Sequence, residues 1–318
     1  MERVRPFSYT GLDYFGPLTV RIGRRVEKRY GAIFTCLTVR AIHLELASSL
    51  STDSAIMAIR RFAARRGNPI AIYCDNGTNF RGADSELRKA LKEWDQSKIT
   101  SYLTNKGIEW HFNPPAAPHM GGCWERMVRS VKIALKAVLN QKNPPEETLL
   151  TVMVEAEGIV NSRPLTFVSS DSDDDEGLTP NHFLLGTSGL NPPLGEFTER
   201  DMSLRKQWRI AQRLTDCFWK RWVKEYRPVL VKRNKWHHSQ NSPISLGSLV
   251  LLVDENMPRG VWLKGIVTRI FPGKDGTIRV VNVKTKLGEF RRPVAKLCII
   301  FSRGESSGAI TEGEDVTA

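Results

Sequence analysis

The sequence predicts an α/β protein in two parts, a mixed sheet with helices on its faces and then a basic domain made of a helix and short strands. Three observations lead to this class. Apolar runs of strand length alternate with helical patterns over residues 7–161. A stretch rich in Gly, Pro and acidic residues follows at 168–200. After Pro243, short β runs are separated by turn residues.

The first three predicted strands precede the first helix. Residues 12–20 carry a strand pattern with Asp13 inside it. The basic residues 21–28 are predicted to form a loop, and the apolar run 30–39 is predicted to form a central strand. Residues 41–46 alternate between apolar and polar side chains, which is typical of a half-buried strand.

The next elements place a second acidic residue at a strand end. A helix is predicted to begin at Ser51-Thr52-Asp53, which are good capping residues, and to stop at Gly67. The apolar run 70–73 then predicts a short buried strand, and Asn76-Gly77 a turn. Asp75 therefore lies at the carboxyl end of a strand, where open α/β sheets place their sites.

A third acidic residue begins a strongly helical segment, 123–139. Spacing places Glu125, Arg129, Lys132 and Lys136 on one face of this helix. Apolar residues line another face, so the helix is expected to pack against the sheet. Further elements in this part are a helix at about 84–94, a strand at 107–112, a loop at 114–122 and a helix from 144 to about 161.

The carboxyl-terminal part is strongly basic. Residues 201–300 hold 21 Lys and Arg against 7 Asp and Glu, a balance of +14. An aromatic stripe at helical spacing over 201–226 is interpreted as core rather than as a base-stacking surface. Four β runs follow at 248–253, 261–270, 277–283 and 289–297, which suggests a small barrel. The domains are predicted as 1–167, 168–200 (linker), 201–300 and 301–318 (disordered tail).

Charge and composition narrow the function classes. The net charge of +13 points to a polyanionic partner, most simply nucleic acid. No apolar run approaches the length of a membrane span, and no signal peptide is evident. The five cysteines are scattered without a C-x-x-C pair, which disfavours a disulfide framework or a zinc knuckle.

Asp13, Asp75 and Glu125 are the candidate catalytic residues. For any one of them, a solvated or capping acid is the more common role. Three acids at strand and helix ends would form an oxygen-only, strongly negative site of the kind that Mg²⁺ prefers. Two such ions about 4 Å apart can promote phosphodiester chemistry. Arg129 and Lys132, on the helix of Glu125, would neutralise a phosphate substrate.

These residues lie in motifs that resemble the catalytic core of retroviral-type integrases, the DDE strand-transferases with an RNase H-like fold. Within that group the chain is most similar to integrases of the BEL/Pao class of LTR retrotransposons. Residues 200–300 more loosely resemble the domain that follows the core in that class, a helical lead-in and a small SH3-like β-barrel. The motifs that carry the resemblance are Asp13-Tyr14-Phe15-Gly16-Pro17, Arg40-Ala41-Ile42-His43-Leu44-Glu45, Cys74-Asp75-Asn76-Gly77-Thr78-Asn79-Phe80, Ala117-Pro118-His119-Met120-Gly121-Gly122-Cys123-Trp124-Glu125-Arg126 and Asn161-Ser162-Arg163-Pro164-Leu165.

The resemblance implies a role for each matching position. Asp13, Asp75 and Glu125 match the metal-binding triad, which uses Mg²⁺ or Mn²⁺. Residues 94–107 look like an insertion relative to many retroviral cores. The site-shaping residues are expected to be Asn76, Gly77, Thr78, Asn79, His119, Gly121 and Gly122. The resemblance implies that Arg129 and Lys132 contact element DNA. Lys136, on the same helix face, and the basic residues Lys232, Arg233 and Lys235 are further expected DNA-binding residues.

The function expected from the resemblance is DNA 3′-end cleavage followed by strand transfer into target DNA. The expected partners are element ends and target duplex, with a homo-oligomer as the assembly and no membrane. The expected location is the nucleus, with a cytoplasmic stage. Two alternatives stay open: an RNase H-like nuclease that only hydrolyses, and a catalytically silent DNA-binding or chromatin-tethering protein derived from an integrase.

Overall fold

A computed structural model of the chain describes residues 4–75, 93–113, 122–139, 143–165, 177–189, 195–203, 206–230, 244–253, 257–274 and 276–301. Contacts between residues divide the chain into two compact units. The first contains Met1–Leu165, Leu178–Val229 and Glu255–Val261, and the second contains Thr166–Gly177, Leu230–Asp254 and Trp262–Ala318.

The first unit is built on a five-stranded mixed sheet with the order β3-β2-β1-β4-β5. The first three strands pair antiparallel, whereas β4 pairs parallel with both β1 and β5. Helices flank this sheet, so the predicted RNase H-like fold class is confirmed. The strands are β1 (Tyr9–Ile22), β2 (Arg25–Cys36), β3 (Ile42–Ala47), β4 (Ala71–Asp75) and β5 (Glu109–Asn113).

The helix predicted at about 84–94 lies outside the described residues except for 93 and 94, which are not helical, and the helix Gln96–Thr104 was not predicted. The helices predicted at 51–67, 123–139 and 144–161 are found with closely similar bounds. In the first of them, the Ser51 hydroxyl accepts a hydrogen bond from the Ser54 amide, and Gly67, with φ of 83°, ends the helix. These caps are the ones that the sequence predicted. The helices of the described residues are α1 (Thr52–Arg66), α2 (Gln96–Thr104), α3 (Gly122–Leu139), α4 (Glu146–Asn161), α5 (Pro180–Leu185) and α6 (Gln207–Leu230).

The loop predicted at residues 21–28 is wrong. The pairing of β1 with β2 continues to Ile22 and Arg25, so only two residues make the turn. Gly23 takes a φ of 60° there, which glycine adopts without a steric penalty. A tight turn lets the charged residues beyond it extend a long hairpin whose tip is exposed.

The insertion expected at residues 94–107 contains helix α2. Its side chains Ile99 and Leu103 are fully buried in the same core cluster as β1, β2 and α1. Trp94 precedes it, packs edge-on against Tyr14 with ring centroids 5.3 Å apart, and donates a hydrogen bond to the Leu50 carbonyl. The inserted residues therefore add to the core of the sheet.

Helix α4 covers the outer edge of β3. The Leu44 amide donates to a Glu157 carboxylate oxygen at 2.7 Å, and Ile42 exchanges two hydrogen bonds of 2.8 Å with the Asn161 side chain. Glu157 and Asn161 are four residues apart on α4, which matches the spacing of alternate residues along the strand. These side chains take the place of a neighbouring strand and satisfy an edge that would otherwise stay unpaired.

On the face of the sheet beneath α1, β3 carries a buried acid. The Glu45 side chain is 3% exposed and accepts from Arg61 Nε at 2.6 Å and Arg65 Nη1 at 2.9 Å. Its other neighbour is His43, whose Nε2 lies 2.9 Å from Oε1. Burial alone would raise the pKa of Glu45, but the hydrogen bonds from His43 and Arg61 outweigh it and lower the pKa.

His43 links this group to α4. Its Nδ1 lies 3.2 Å from Glu157, which is also paired with Arg66 of α1. Burial disfavours the charged imidazole, yet the hydrogen bonds to Glu157 and Glu45 outweigh it and raise the pKa of His43. We call the four side chains His43, Glu45, Glu157 and Arg66 the β3 clamp, because they tie α1 and α4 together around the edge strand.

Most of the aromatic stripe of α6 is core, as predicted, but Trp208 at its start is 57% exposed. Phe218 and Trp222 are fully buried, and Trp219 donates to the Met257 carbonyl at 3.0 Å. Almost all of this helix belongs to the first unit, whereas the predicted domain 201–300 joined it to the strands that follow. Hydrogen bonds join this helix to α4 of the first unit, from Gln212 Nε2 to Glu155 at 2.6 Å and from Thr148 Oγ1 to Gln207 at 3.0 Å. Within the predicted linker, α5 also belongs to this unit.

The second unit contains an antiparallel five-stranded sheet with the order β10-β6-β7-β8-β9. Its core includes Val250, Val267, Val281, Val283 and Leu297. The short strands that the sequence predicted are present. They are β6 (Leu249–Leu252), β7 (Leu263–Pro272), β8 (Ile278–Thr285), β9 (Gly288–Pro293) and β10 (Leu297–Phe301).

The predicted closure into a barrel is corrected: among the described residues, no ladder joins β9 to β10. The run predicted as one strand, 289–297, is broken at Pro293, which has no amide hydrogen to continue a ladder. A 3₁₀ turn, Val294–Lys296, then leads to β10, which pairs with β6 at the opposite edge of the sheet. In the described parts of the chain, none of the helices is long and apolar enough to span a membrane.

Candidate active site

The backbone brings two of the three predicted acids to neighbouring positions. Strands β1 and β4 run parallel, and Leu12 pairs with Cys74. One residue further along each strand lie Asp13 and Asp75, with Asp75 ending β4. Since adjacent strands lie about 4.8 Å apart, the two residues follow the last pair at neighbouring positions of the sheet. This is the carboxyl end of β4, where the sequence predicted a site.

Asp13 also has a cationic partner from a helix. Its carboxylate forms an ion pair with Lys132 Nζ of α3, and the two side chains are 27% and 15% exposed. Asp13 stands in a cross-strand row with Ile33 and Leu44, the residue whose amide is held by Glu157. The acid is therefore placed by the sheet and paired by the helix packed on it.

Helix α3 places the third acid relative to the other two. Glu125 lies in the first turn of the helix, seven residues before Lys132. Seven residues make about two turns, so the two share one face of the helix. Lys132 contacts Asp13 of β1. The adjoining apolar side of the helix is buried through Met127, Val128, Val131, Ala134 and Leu135.

The other predicted basic residues of α3 are open to solvent. Arg129 and Lys136 are both exposed, whereas Lys132 is partly buried. A phosphate could approach Arg129 and Lys136 without rearrangement of the core. Lys132 differs from them because it is already engaged by a carboxylate, a contact that the helical spacing did not reveal.

Several predicted site residues lie outside the described part of the chain. They are Asn76, Gly77, Thr78, Asn79, His119 and Gly121, and in the carboxyl-terminal half Lys232, Arg233 and Lys235. Gly122 is described as the first residue of α3, and the backbones of Asp75 and Glu125 are described without their side chains. Within the described residues, no three His, Cys, Asp or Glu side chains form a metal-binding group. The triad, the DNA contacts and the shaping roles stay predictions.

A basic row on the second sheet was missed by sequence reasoning. Cross-strand pairing aligns Arg269, Asn282 and Arg291 across β7, β8 and β9. Both arginines are exposed, and the Arg291 guanidinium lies 4.4 Å from the centre of the Phe271 ring. Lys284 is exposed two residues further along β8. The signal for this surface was the alternation of polar and apolar residues along β8.

Comparison with known proteins gives one family match. The family, described as a family of unknown function (DUF5641), matches residues 206–300. That range holds α6 and the strands of the second unit. No curated protein matches the chain.

Solved structures of retroviral integrases are similar to the chain at low scores. The HTLV-2 integrase catalytic core domain in complex with magnesium, in its trimeric form, is 16% identical, with 57% of this chain and 97% of that chain covered and a TM-score of 0.33. Its dimeric form is 17% identical, with 52% and 92% covered and a TM-score of 0.32. The simian T-cell lymphotropic virus intasome in complex with PP2A regulatory subunit B56 gamma is 12% identical, with 94% and 80% covered and a TM-score of 0.36. TM-scores below 0.5 do not establish a shared function.

Proposed function

We propose that the chain is an integrase-type polynucleotidyl transferase acting on DNA, of the BEL/Pao retrotransposon class that its motifs resemble. One observation carries the proposal. The parallel pairing of β1 with β4 puts Asp13 and Asp75 at neighbouring positions, and α3, which carries Glu125, is tied to Asp13 by Lys132. Acids on neighbouring elements could hold divalent ions of the kind that promote phosphodiester chemistry.

The residues fit a hard divalent cation. The candidate donors are carboxylates, and the described one, Asp13, is partly exposed, so that an ion could reach it. Mg²⁺ and Mn²⁺ favour oxygen ligands of this kind. Asp13, Asp75 and Glu125 would hold the ion, which when bound would activate the attacking oxygen and stabilise the leaving one.

The proposed reaction has two steps of the same chemistry. Water attacks a phosphodiester near the 3′ end of the element, so that one P–O bond forms, one breaks and a 3′-hydroxyl is left. That hydroxyl then attacks a phosphodiester of the target DNA, again exchanging one P–O bond for another. Arg129 and Lys132 would neutralise and position the phosphate beside Asp13. No covalent enzyme intermediate and no nucleotide cofactor are needed.

The second unit is proposed to bind the duplex without reading its sequence. The support is the exposed pair Arg269 and Arg291 on this sheet, together with residues 262–300, which hold nine Lys and Arg against two Asp and Glu. Arginine side chains on a sheet can contact phosphates of the backbone, and each contact releases counterions. The basic segment Lys232-Arg233-Asn234-Lys235 is proposed to extend this surface.

The assembly and location follow from the reaction. An element has two ends that must be joined to one target, which favours a homo-oligomer with at least two active sites. The proposed site of action is the nucleus, where chromosomal target DNA lies, after a cytoplasmic stage.

A strand-transfer assay tests the proposal. Purified chain is incubated with a preprocessed oligonucleotide end, a target duplex and Mg²⁺ or Mn²⁺. We expect the unchanged chain to give joined products and the Asp13→Asn variant to give none. Shortened products without joining would favour the RNase H-like nuclease. Duplex binding with neither activity would favour the tethering protein.

A further inference from the structure

The Lys132–Asp13 ion pair suggests how the charge of Asp13 is compensated before a metal ion binds. We propose that Lys132 is the counter-ion that a divalent cation must displace from Asp13, so that metal loading frees this ammonium group for the DNA phosphate. The proposal rests on the proposed function, because it takes Asp13 as a metal ligand. It adds to that site a lysine that competes with the metal ion for Asp13.

The first step is electrostatic. Asp13 is placed next to the position of Asp75, and like charges at neighbouring positions repel each other. The Asp13 side chain is only 27% exposed, so water screens this repulsion incompletely. An ammonium group against the Asp13 carboxylate offsets both effects. A metal ion would make the same compensation with twice the charge.

The second step is competition for the same oxygens. The Lys132 ammonium lies directly against Oδ2 of Asp13. A metal ligand must offer its lone pairs to the ion, and a carboxylate oxygen engaged by an ammonium is less available to it. Binding of the ion therefore includes breaking this ion pair, which lowers the apparent metal affinity.

The third step concerns where the displaced group goes. Lysine carries a compact charge on a flexible four-carbon stem, so it can change partners without moving its helix. The helix itself is fixed by the burial of Val131 and Leu135. Once displaced, the ammonium stays beside Asp13 on the face of α3 that carries Glu125. A phosphate brought to the metal would be its next partner.

The competing explanation is that the ion pair only pins α3 to β1. In that case, removing the ammonium would lower stability and would leave metal affinity unchanged or weaker. The two explanations thus predict opposite changes in a quantity that can be measured without DNA.

The experiment measures Mn²⁺ binding to the full-length chain by titration calorimetry, with free Mn²⁺ checked by its paramagnetic resonance signal. Lys132→Met keeps the stem and removes the charge. Lys98→Met is the matched control, since it removes the same charge from another lysine–aspartate ion pair, Lys98–Asp53, to which no role in the site is assigned. We expect Lys132→Met to bind Mn²⁺ several-fold to tenfold more tightly than the unchanged chain, and Lys98→Met to stay within about twofold.

A second pair of variants distinguishes the counter-ion role of Lys132 from the role of Asp13 as a metal ligand. In an Asp13→Asn background, Lys132→Met should no longer change Mn²⁺ affinity, because there is no carboxylate left to compete for. The counter-ion proposal would be wrong if Lys132→Met bound Mn²⁺ more tightly in both backgrounds. It would also be wrong if Lys132→Met alone bound Mn²⁺ as tightly as the unchanged chain or more weakly. If Asp13→Asn leaves Mn²⁺ binding unchanged, Asp13 is not a ligand and the metal site of the proposed function fails as well. Should Lys132→Met fold poorly by circular dichroism, Lys132→Gln carries the same expectations.

Discussion

Replacing Glu157 by glutamine should loosen the β3 clamp and destabilise the first unit. The Glu157 side chain is 11% exposed and has three partners: the Leu44 amide, His43 and Arg66. Glutamine keeps an oxygen that can accept from the Leu44 amide, but it removes the negative charge. The variant therefore tests the ionic part of the clamp while leaving the edge of β3 covered.

The size of the effect follows from these contacts. Hydrogen bonds to charged groups contribute roughly 1.5–3 kcal/mol each, and breaking a buried ion pair costs about 3–5 kcal/mol. The Arg66 side chain is 20% exposed and can be partly rehydrated, which reduces the loss. We expect a destabilisation of about 2–3 kcal/mol, or a fall in Tm of roughly 5–10 °C for a unit of this size. Glu157→Ala should lose more, since the Leu44 amide is then left without its acceptor.

Differential scanning calorimetry of the full chain measures the effect, because it can resolve the transitions of two units. Glu147→Gln is the matched control, an exposed acid on the same helix whose loss should leave the midpoint nearly unchanged. If Glu157→Gln and Glu147→Gln both have the Tm of the unchanged chain, the ion pairs of the clamp contribute nothing to stability. The edge of β3 is then held by backbone hydrogen bonding alone.

The pH dependence of stability gives a second readout of the same clamp. The pKa of His43 is raised above its ordinary 6.5, so its contribution is complete below pH 6.5 and is lost as pH rises through the folded value. The pKa of Glu45 is lowered from 4.5, so its contribution is present above pH 4.5 and is lost as pH falls. Glu157→Gln removes one of the two carboxylates that raise the pKa of His43. Its stability should therefore fall less than that of the unchanged chain above pH 6.5.

Three further predictions concern the proposed activity. Asp75→Asn should abolish 3′ cleavage and strand transfer without lowering Tm, because relief of repulsion between acids offsets the lost charge; near-normal activity would remove Asp75 from the site. Replacing Gly121 and Gly122 by alanine should reduce turnover more than DNA affinity, since the loop needs freedom to close over substrate; equal losses in the two measurements would indicate a static turn. Arg269→Ala with Arg291→Ala should flatten the dependence of log K on log salt for duplex DNA by about two contacts' worth, at roughly 0.9 each; an unchanged slope would exclude that face of the sheet from binding.

The sequence was informative where the signal is local. Helix α1 is bounded by a serine cap and a glycine stop that are adjacent to it in the chain, and both bounds were predicted correctly. The strand that ends at Asp75 was predicted from a short apolar run and the turn residues after it. In each case, the residues that decide the structure lie within a few positions of the element itself.

The sequence was less informative where distant residues decide. Glu157 contacts Leu44 across 113 positions, and Lys132 contacts Asp13 across 119. No local pattern distinguishes these side chains from solvated charges of the same spacing. The same holds for α6: most of its aromatic stripe is core as predicted, but Trp208 is exposed, and the unit to which the helix belongs was not predicted.

The placement of the acids also explains why the sheet and its helices must be held so firmly. Neighbouring strands carry Asp13 and Asp75 side by side, an arrangement that repulsion disfavours and that a pliable scaffold would relax. On one side Lys132 compensates Asp13, and it can do so only because the apolar face of α3 is buried. On the other side the row that contains Asp13 ends at Leu44, which α4 fixes through Glu157. Contacts far from the acids thus sustain a charge arrangement that the acids alone would oppose.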